Sequence, residues 1–172
     1  MSLQLTSLDR KFIGWSVLFV VSQANLVRTL GSAAPRVLEG QTAFSARAYT
    51  EVLDKMDAEE KVRYRRHFYL DFVHPVIYAT ALTTGVKRLA ELTPMSPTTR
   101  RVLTTAPVAA AAGDYLENAV GLYLLDHREA ITDTTVRATS TVSVTKWVLA
   151  LGTLGYLSQG FVRVWAKAPG RR

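Results

Sequence analysis

The sequence predicts an all-α protein, a four-helix transmembrane bundle with a short amphipathic interfacial helix between helices 1 and 2. Three observations carry that expectation. Four apolar runs, at about 12–30, 68–88, 102–125 and 142–165, are each close to the roughly 20 residues a helix needs to cross a bilayer core. Charged connections separate the runs. The polar residues inside the runs recur at helical spacing, so each set shares one face. A length of 172 residues fits a single membrane domain over 1–172.

Composition narrows the function classes. Lys and Arg total 21 against 14 Asp and Glu, a net charge of +7. A basic balance can signal nucleic acid. Here the basic residues lie between apolar runs with no stacking motif among them, which suits anionic headgroups better. Membrane lipids are therefore the expected partners, with other membrane protein subunits as a second class and no nucleic acid. The absence of cysteine removes disulfides, thiolate metal sites and thiol nucleophiles. A mean hydropathy of +0.09 is low for a membrane protein. It keeps a soluble helical bundle as the competing reading, although the long polar connection after the first run accounts for part of it.

The first run, Phe12 to about Leu30, follows Arg10 and Lys11. A signal peptide has the same layout, with Ser32-Ala33-Ala34 as a weak small-residue site. Three further apolar runs favour a membrane helix instead. Its second half carries Gln23, Asn25 and Arg28. Residues 31–66 form the long connection, with Pro35 and Gly40 marking irregular chain. Within 45–56, Tyr49, Val52, Leu53 and Met56 repeat at i, i+3, i+4 and i+7. That stripe belongs either to a helix lying in the membrane interface or to one packed over the mouth of the bundle. Asp57 and Glu60 have the spacing of a capping box, so a new helix starts there and leads into the second run. Arg63, Arg65 and Arg66 fall at headgroup level, as interfacial anchors or as ligands for a phosphate.

The second run opens with Asp71, His74, Pro75 and Tyr78 on one face. Pro75 cannot donate to the Asp71 carbonyl, which predicts a kink. The third run holds Asp114, Glu117 and Asn118 at i, i+3 and i+4 near its middle. Two carboxylates and an amide there cannot face lipid cheaply. Its Ala106, Ala109, Ala110 and Gly113 favour close helix approach. The fourth run begins with Thr145, Lys146 and Trp147 and has Gly152 and Gly155 as further close-packing positions.

Antiparallel order then places the end of helix 1, the start of helix 2, the end of helix 3 and the start of helix 4 at one membrane face. At about 1.5 Å per residue, Asn25, Asp71, His74, Asp114, Glu117 and Lys146 fall roughly 5–16 Å below it. All four helices thus carry their awkward side chains in the same membrane half. The distribution of basic residues favours cytoplasmic N- and C-termini.

The succession Tyr49 and Glu51, Arg63-Tyr64, Asp71-x3-Pro75-x2-Tyr78, Asp114-x2-Glu117-Asn118 and Thr145-Lys146-Trp147 resembles an uncharacterised group of small bacterial four-helix integral membrane proteins. The likeness covers Ala43 to Leu157. It implies a multi-pass protein of the bacterial inner membrane, and it implies no activity. His74 stands where that group often has an apolar residue. The architecture is more loosely similar to emopamil-binding-type sterol isomerases, in which acidic and His residues inside a helical bundle move protons on a lipid.

Three functions compete. A structural or interaction subunit of a membrane assembly would use these residues as buried pairs: Asp71 with Lys146, and Glu117 with Arg28 or Asn25. An isomerase- or cyclase-like enzyme on a lipid or isoprenoid would use Glu117 as acid, Asp114 as its partner, and Asp71 with His74 as the opposing base. Asn118, Lys146, Tyr78, Arg28, Asn25 and Arg63 would then bind or balance charge. Lipid or ion transport is the third. Asp71, His74, Asp114 and Glu117 are metal-ligand types, but no tight ligand motif joins them, so neither a metal nor another cofactor is expected. The discriminating feature is a void. A binder or enzyme needs an apolar pocket beside the polar cluster, whereas a structural network fills its own space.

Overall fold

A computed structural model describes residues 5–167, and all regular structure among them is helical. α1 spans Ser7–Leu30 and begins before the apolar run. The Thr6 hydroxyl accepts the Asp9 amide at 3.1 Å, and the Asp9 carboxylate accepts the Thr6 amide at 2.9 Å. This capping box satisfies two orphan donors and fixes the start. α1 ends at Gly31, whose φ of +52° favours glycine.

The stretch after α1 is not irregular as expected. A 3-10 turn, Gly31–Ala33, leads straight into α2, Ala34–Gln41. Pro35 lies in the first turn of α2, where a missing N–H costs nothing, so it starts a helix instead of breaking one. α3, Ala46–Lys55, is capped by the Ser45 hydroxyl, which accepts the Ala48 amide at 3.2 Å. The stripe of Tyr49, Val52, Leu53 and Met56 is buried with Ala33, Ala43, Tyr64, Leu124 and Val136. The apolar face of α3 is therefore spent on the protein, over the mouth of the bundle.

The 68–88 run is divided between two helices. α4, Ala58–Asp71, starts at the Asp57/Glu60 capping box, and α5 covers His74–Leu92. Pro75 breaks the helix where a kink was expected. α6, Pro97–Asp126, and α7, Asp133–Lys167, both start upstream of their apolar runs. The Ser96 hydroxyl accepts the Thr99 amide at 3.1 Å to cap α6. The polar residues between Asp133 and Thr141 are helical because Val136 and Ser140 on one face are buried. Gly113 packs where expected, with an added Cβ only 3.4 Å from Lys146 Cβ. Gly152 and Gly155 do not, since both look onto open space.

Arg88 near the end of α5 pairs with Asp9 at 2.6 Å, and Phe12 stacks on Phe161 at 5.2 Å. The start of α1 and the ends of α5 and α7 therefore share one end of the bundle. Each long helix brings two basic residues there: Arg10 and Lys11, Lys87 and Arg88, Arg100 and Arg101, Arg163 and Lys167. Asp9 and Glu91 are the only acidic residues at that end among the described residues, so it carries a net charge of about +6, from the formal charges. At the opposite end acidic and basic residues nearly balance. Arg36 pairs with Glu39, Arg47 with Glu51, Arg63 with Glu59, Arg65 with Asp126, Arg128 with Asp54, and Arg137 with Asp133.

One stretch among the described residues, Ser7–Gln41, is long and apolar enough to cross a membrane by length and composition. The polar groups inside α6 and the charged ends of α5 and α7 lower the hydropathy of the other long helices. Those helices nevertheless leave large apolar side chains outside, including Val76, Val108, Leu116, Val148, Leu151 and Val162.

Candidate functional site

Lys146 lies at the centre of the polar cluster. Its ammonium pairs with Asp114 and lies 2.9 Å from a Glu117 oxygen. All three side chains are buried. Asp114 and Glu117 are one helical turn apart on α6, and Lys146 meets both because Gly113 lets α7 approach closely. The remaining carboxylate valences are also taken. Tyr78 donates its hydroxyl to Asp114 at 2.5 Å. Glu117 accepts the Gln41 amide at 2.6 Å and the Ser143 hydroxyl. A buried pair needs this degree of satisfaction to offset its desolvation.

Asn118, completely buried, donates to the Asp71 carbonyl at 3.0 Å. That carbonyl is the acceptor that Pro75 cannot serve, so the helix break is completed by an amide from α6. Asn118 Oδ1 has no hydrogen-bond partner. The Asp71 carboxylate has no ion-pair partner among the described residues. His74 Nδ1 shares a hydrogen bond of 2.9 Å with Ser22 Oγ on α1, and the ring stacks on Phe19.

A cavity of about 170 Å³ adjoins these groups. His67, Asp71, His74, Tyr78, Asp114 and Lys146, with Gln23, form its polar wall, while α1 and α7 supply apolar sides through Phe19, Leu26 and Leu154. Val37 and Gln41 of α2 close one end. Leu151 and Leu154 are also exposed, so the cavity meets the outer surface beside α7. Trp147 stands at its rim and donates its indole N–H to Gln41 at 3.0 Å.

Several expected partnerships are replaced. Lys146 pairs with Asp114 and Glu117 instead of Asp71, because the helix break turns the Asp71 side chain toward the cavity. Asn25 and Arg28 are exposed, on a face of α1 turned away from the cluster, and neither reaches Glu117. Arg63 is not in the cluster either. It pairs with Glu59 at 2.7 Å and reaches the Thr29 carbonyl at 3.5 Å, capping the end of α1. Glu117 does not line the cavity; it faces a space of about 20 Å³ beneath α2 and α3, shared with Tyr49 and Tyr64. Burial pushes the Tyr49 phenol up to about 12 and that of Tyr64 well above its ordinary value.

Gln41, Ser22 and Ser143 join the site without having been singled out. Ser143 lies one turn before Lys146 on the same face, a signal the spacing contained. Gln41 sat in a segment read as irregular, and Ser22 was one mild polar residue in an apolar run. No group of three or more His, Cys, Asp or Glu among the described residues is arranged to hold a metal. Comparison with protein-family models, curated proteins and solved structures yields no match.

Proposed function

We propose that this is a multi-pass integral membrane protein that binds an unsaturated lipid or isoprenoid in the cavity and moves a proton on it. The observation that carries the reading is the division of labour among the acidic residues. Asp114 and Glu117 are consumed by Lys146, Tyr78, Gln41 and Ser143. Asp71 and His74 face an apolar void with reactive atoms to spare. A network that only joined helices would leave no void there.

The chemistry that fits is double-bond isomerisation. Asp71, as the acid, adds a proton to one alkene carbon. His74 removes a proton from the carbon next to the cationic centre, and the double bond has moved. In the tautomer whose Nδ1–H donates to Ser22 Oγ, His74 has Nε2 free as the base. Return of the proton from His74 to Asp71 resets the site, so no oxidant or reductant is needed. Asp114 and Tyr78 stand beside the developing cation, and the Lys146 charge is neutralised there by Asp114 and Glu117. This reassigns the acid from Glu117, which does not reach the cavity.

Membrane placement is supported by the large apolar side chains exposed on α1, α6 and α7 and by the stretch Ser7–Gln41, long and apolar enough to cross a membrane. Arg10, Lys11, Lys87, Arg88, Arg100, Arg101, Arg163 and Lys167 flank the apolar helices at the end shared by both described termini, and these basic flanks favour a cytoplasmic position for that end.

A second reading, an assembly subunit held in shape by the Lys146 network, is favoured by the complete satisfaction of Asp114 and Glu117. One experiment separates the two. The purified protein is incubated with bacterial neutral lipids and isoprenoids in deuterated water, and retained lipids are analysed by mass spectrometry. Isomerisation introduces deuterium and shifts a double bond, and Asp71→Asn and His74→Ala abolish both while remaining folded. A wild-type protein that retains no lipid and exchanges no deuterium leaves the subunit reading.

A further inference from the structure

At the basic end of the bundle, a cleft of about 550 Å³ lies between the turn after α5 and the last turns of α7. Arg163 and Lys167, one turn apart on α7, both line it, with Gln159, Tyr156 and Thr93 as polar neighbours. Neither cation has a carboxylate partner among the described residues. This sets them apart from Arg88 at the same end, which is held by both Asp9 and Glu91. It also sets them apart from the paired arginines of the opposite end. The carbonyl end of α5 lies here and presents the negative end of its dipole. The cleft is therefore attractive to an anion only through Arg163 and Lys167. Below it, Leu89, Leu92 and Val164 give an apolar floor, and Val162 and Trp165 are exposed on the same turns of α7.

We propose that this cleft is a headgroup site for an anionic phospholipid, with the phosphate between Arg163 and Lys167 and an acyl chain along α7. The cleft is at the far end of the molecule from Asp71 and His74, so it is a second lipid site and not part of the cavity. The proposal rests on the membrane reading and is independent of the proton-transfer chemistry. A lipid phosphate and free phosphate share the same recognition chemistry. The apolar floor and the exposed apolar turns of α7 favour the lipid.

The test uses the full-length protein in mixed micelles carrying equal phosphatidylglycerol and phosphatidylcholine, with bound lipid counted by native mass spectrometry. The wild type is expected to prefer phosphatidylglycerol. At roughly 1 kcal/mol per basic side chain, Arg163→Gln with Lys167→Gln lowers that preference about tenfold to thirtyfold. Lys87→Gln with Arg100→Gln removes the same charge from the same end outside the cleft and leaves most of the preference. Equal loss in both double variants, or no loss in either, overturns the site in favour of diffuse surface charge or none. Inorganic phosphate that displaces phosphatidylglycerol at millimolar concentration overturns the lipid in favour of a soluble anion. A wild type that associates with neither lipid fails the membrane reading itself, whereas one that takes both without preference fails only this site.

Discussion

Lys146 holds two carboxylates on α6, and its removal should be felt more than theirs. Lys146→Met leaves Asp114 and Glu117 buried without a cation and should cost about 3–5 kcal/mol of stability. Adding Asp114→Asn and Glu117→Gln to Lys146→Met should restore part of that loss, because no charge is then left unpaired. Thermal or denaturant unfolding of the three proteins in one detergent measures this, and a triple variant no more stable than Lys146→Met would remove the argument. Asn118 donates to the Asp71 carbonyl and lies against the Asp71 carboxyl group. Asn118→Ala orphans the Asp71 carbonyl and should cost roughly 1–3 kcal/mol, read in the same assay. A cost near zero would mean that water reaches that carbonyl. Tyr49 gives a pH signature. Its folded-state phenol is raised to about 12 from an ordinary 10.0, so its contribution is complete below pH 10 and is lost as the pH rises towards 12. Unfolding free energy should fall across that window, and Tyr49→Phe should flatten the fall.

At the scale of elements, the junctions decide where the site stands. α2 exists because Pro35 is tolerated in a first turn, and α2 delivers Gln41 to both Glu117 and Trp147. α3 covers that arrangement through a stripe already visible as Tyr49, Val52, Leu53 and Met56. Leu53 is 2% exposed, and Leu53→Ala should cost about 2–5 kcal/mol. Hydrogen exchange should show α2 and α3 loosening together in that variant, with α6 and α7 unchanged. Loosening confined to α3 would mean that α2 is held by its contacts with α4, α6 and α7. The capping boxes at Thr6/Asp9 and Asp57/Glu60 differ in legibility. The second was evident because an apolar run follows it, while the first precedes the apolar run by several residues and leaves no comparable mark.

At the scale of the molecule, the two ends differ in charge. The end shared by both described termini is strongly basic, while the opposite end pairs most of its charges internally. Compartment-specific reporters fused at residue 5 and at residue 167 should report the same side, and that side should be cytoplasmic. Opposite sides would break the proposed four-crossing topology. Both on the outer side would keep the proposed topology and reverse its orientation.

Helical periodicity, four apolar runs and the spacing of Asp114, Glu117 and Asn118 are local properties, and local spacing was enough to predict an all-helical chain whose polar faces meet. Antiparallel order alone brought Asp114, Glu117, Lys146, Asp71 and His74 into the same half of the bundle. The pairing among them was not local. Lys146 chose Asp114 and Glu117 because Gly113 admits α7 to that face of α6, and Asp71 was released because a proline broke its helix and Asn118 took the orphaned carbonyl. The directions in which Asn25 and Arg28 point depend on how α1 is rotated against α5, and no spacing within α1 encodes that rotation. The cavity likewise belongs to no segment. It is the gap left between α1 and α7 once α2 closes its end, and only the packed helices define its walls.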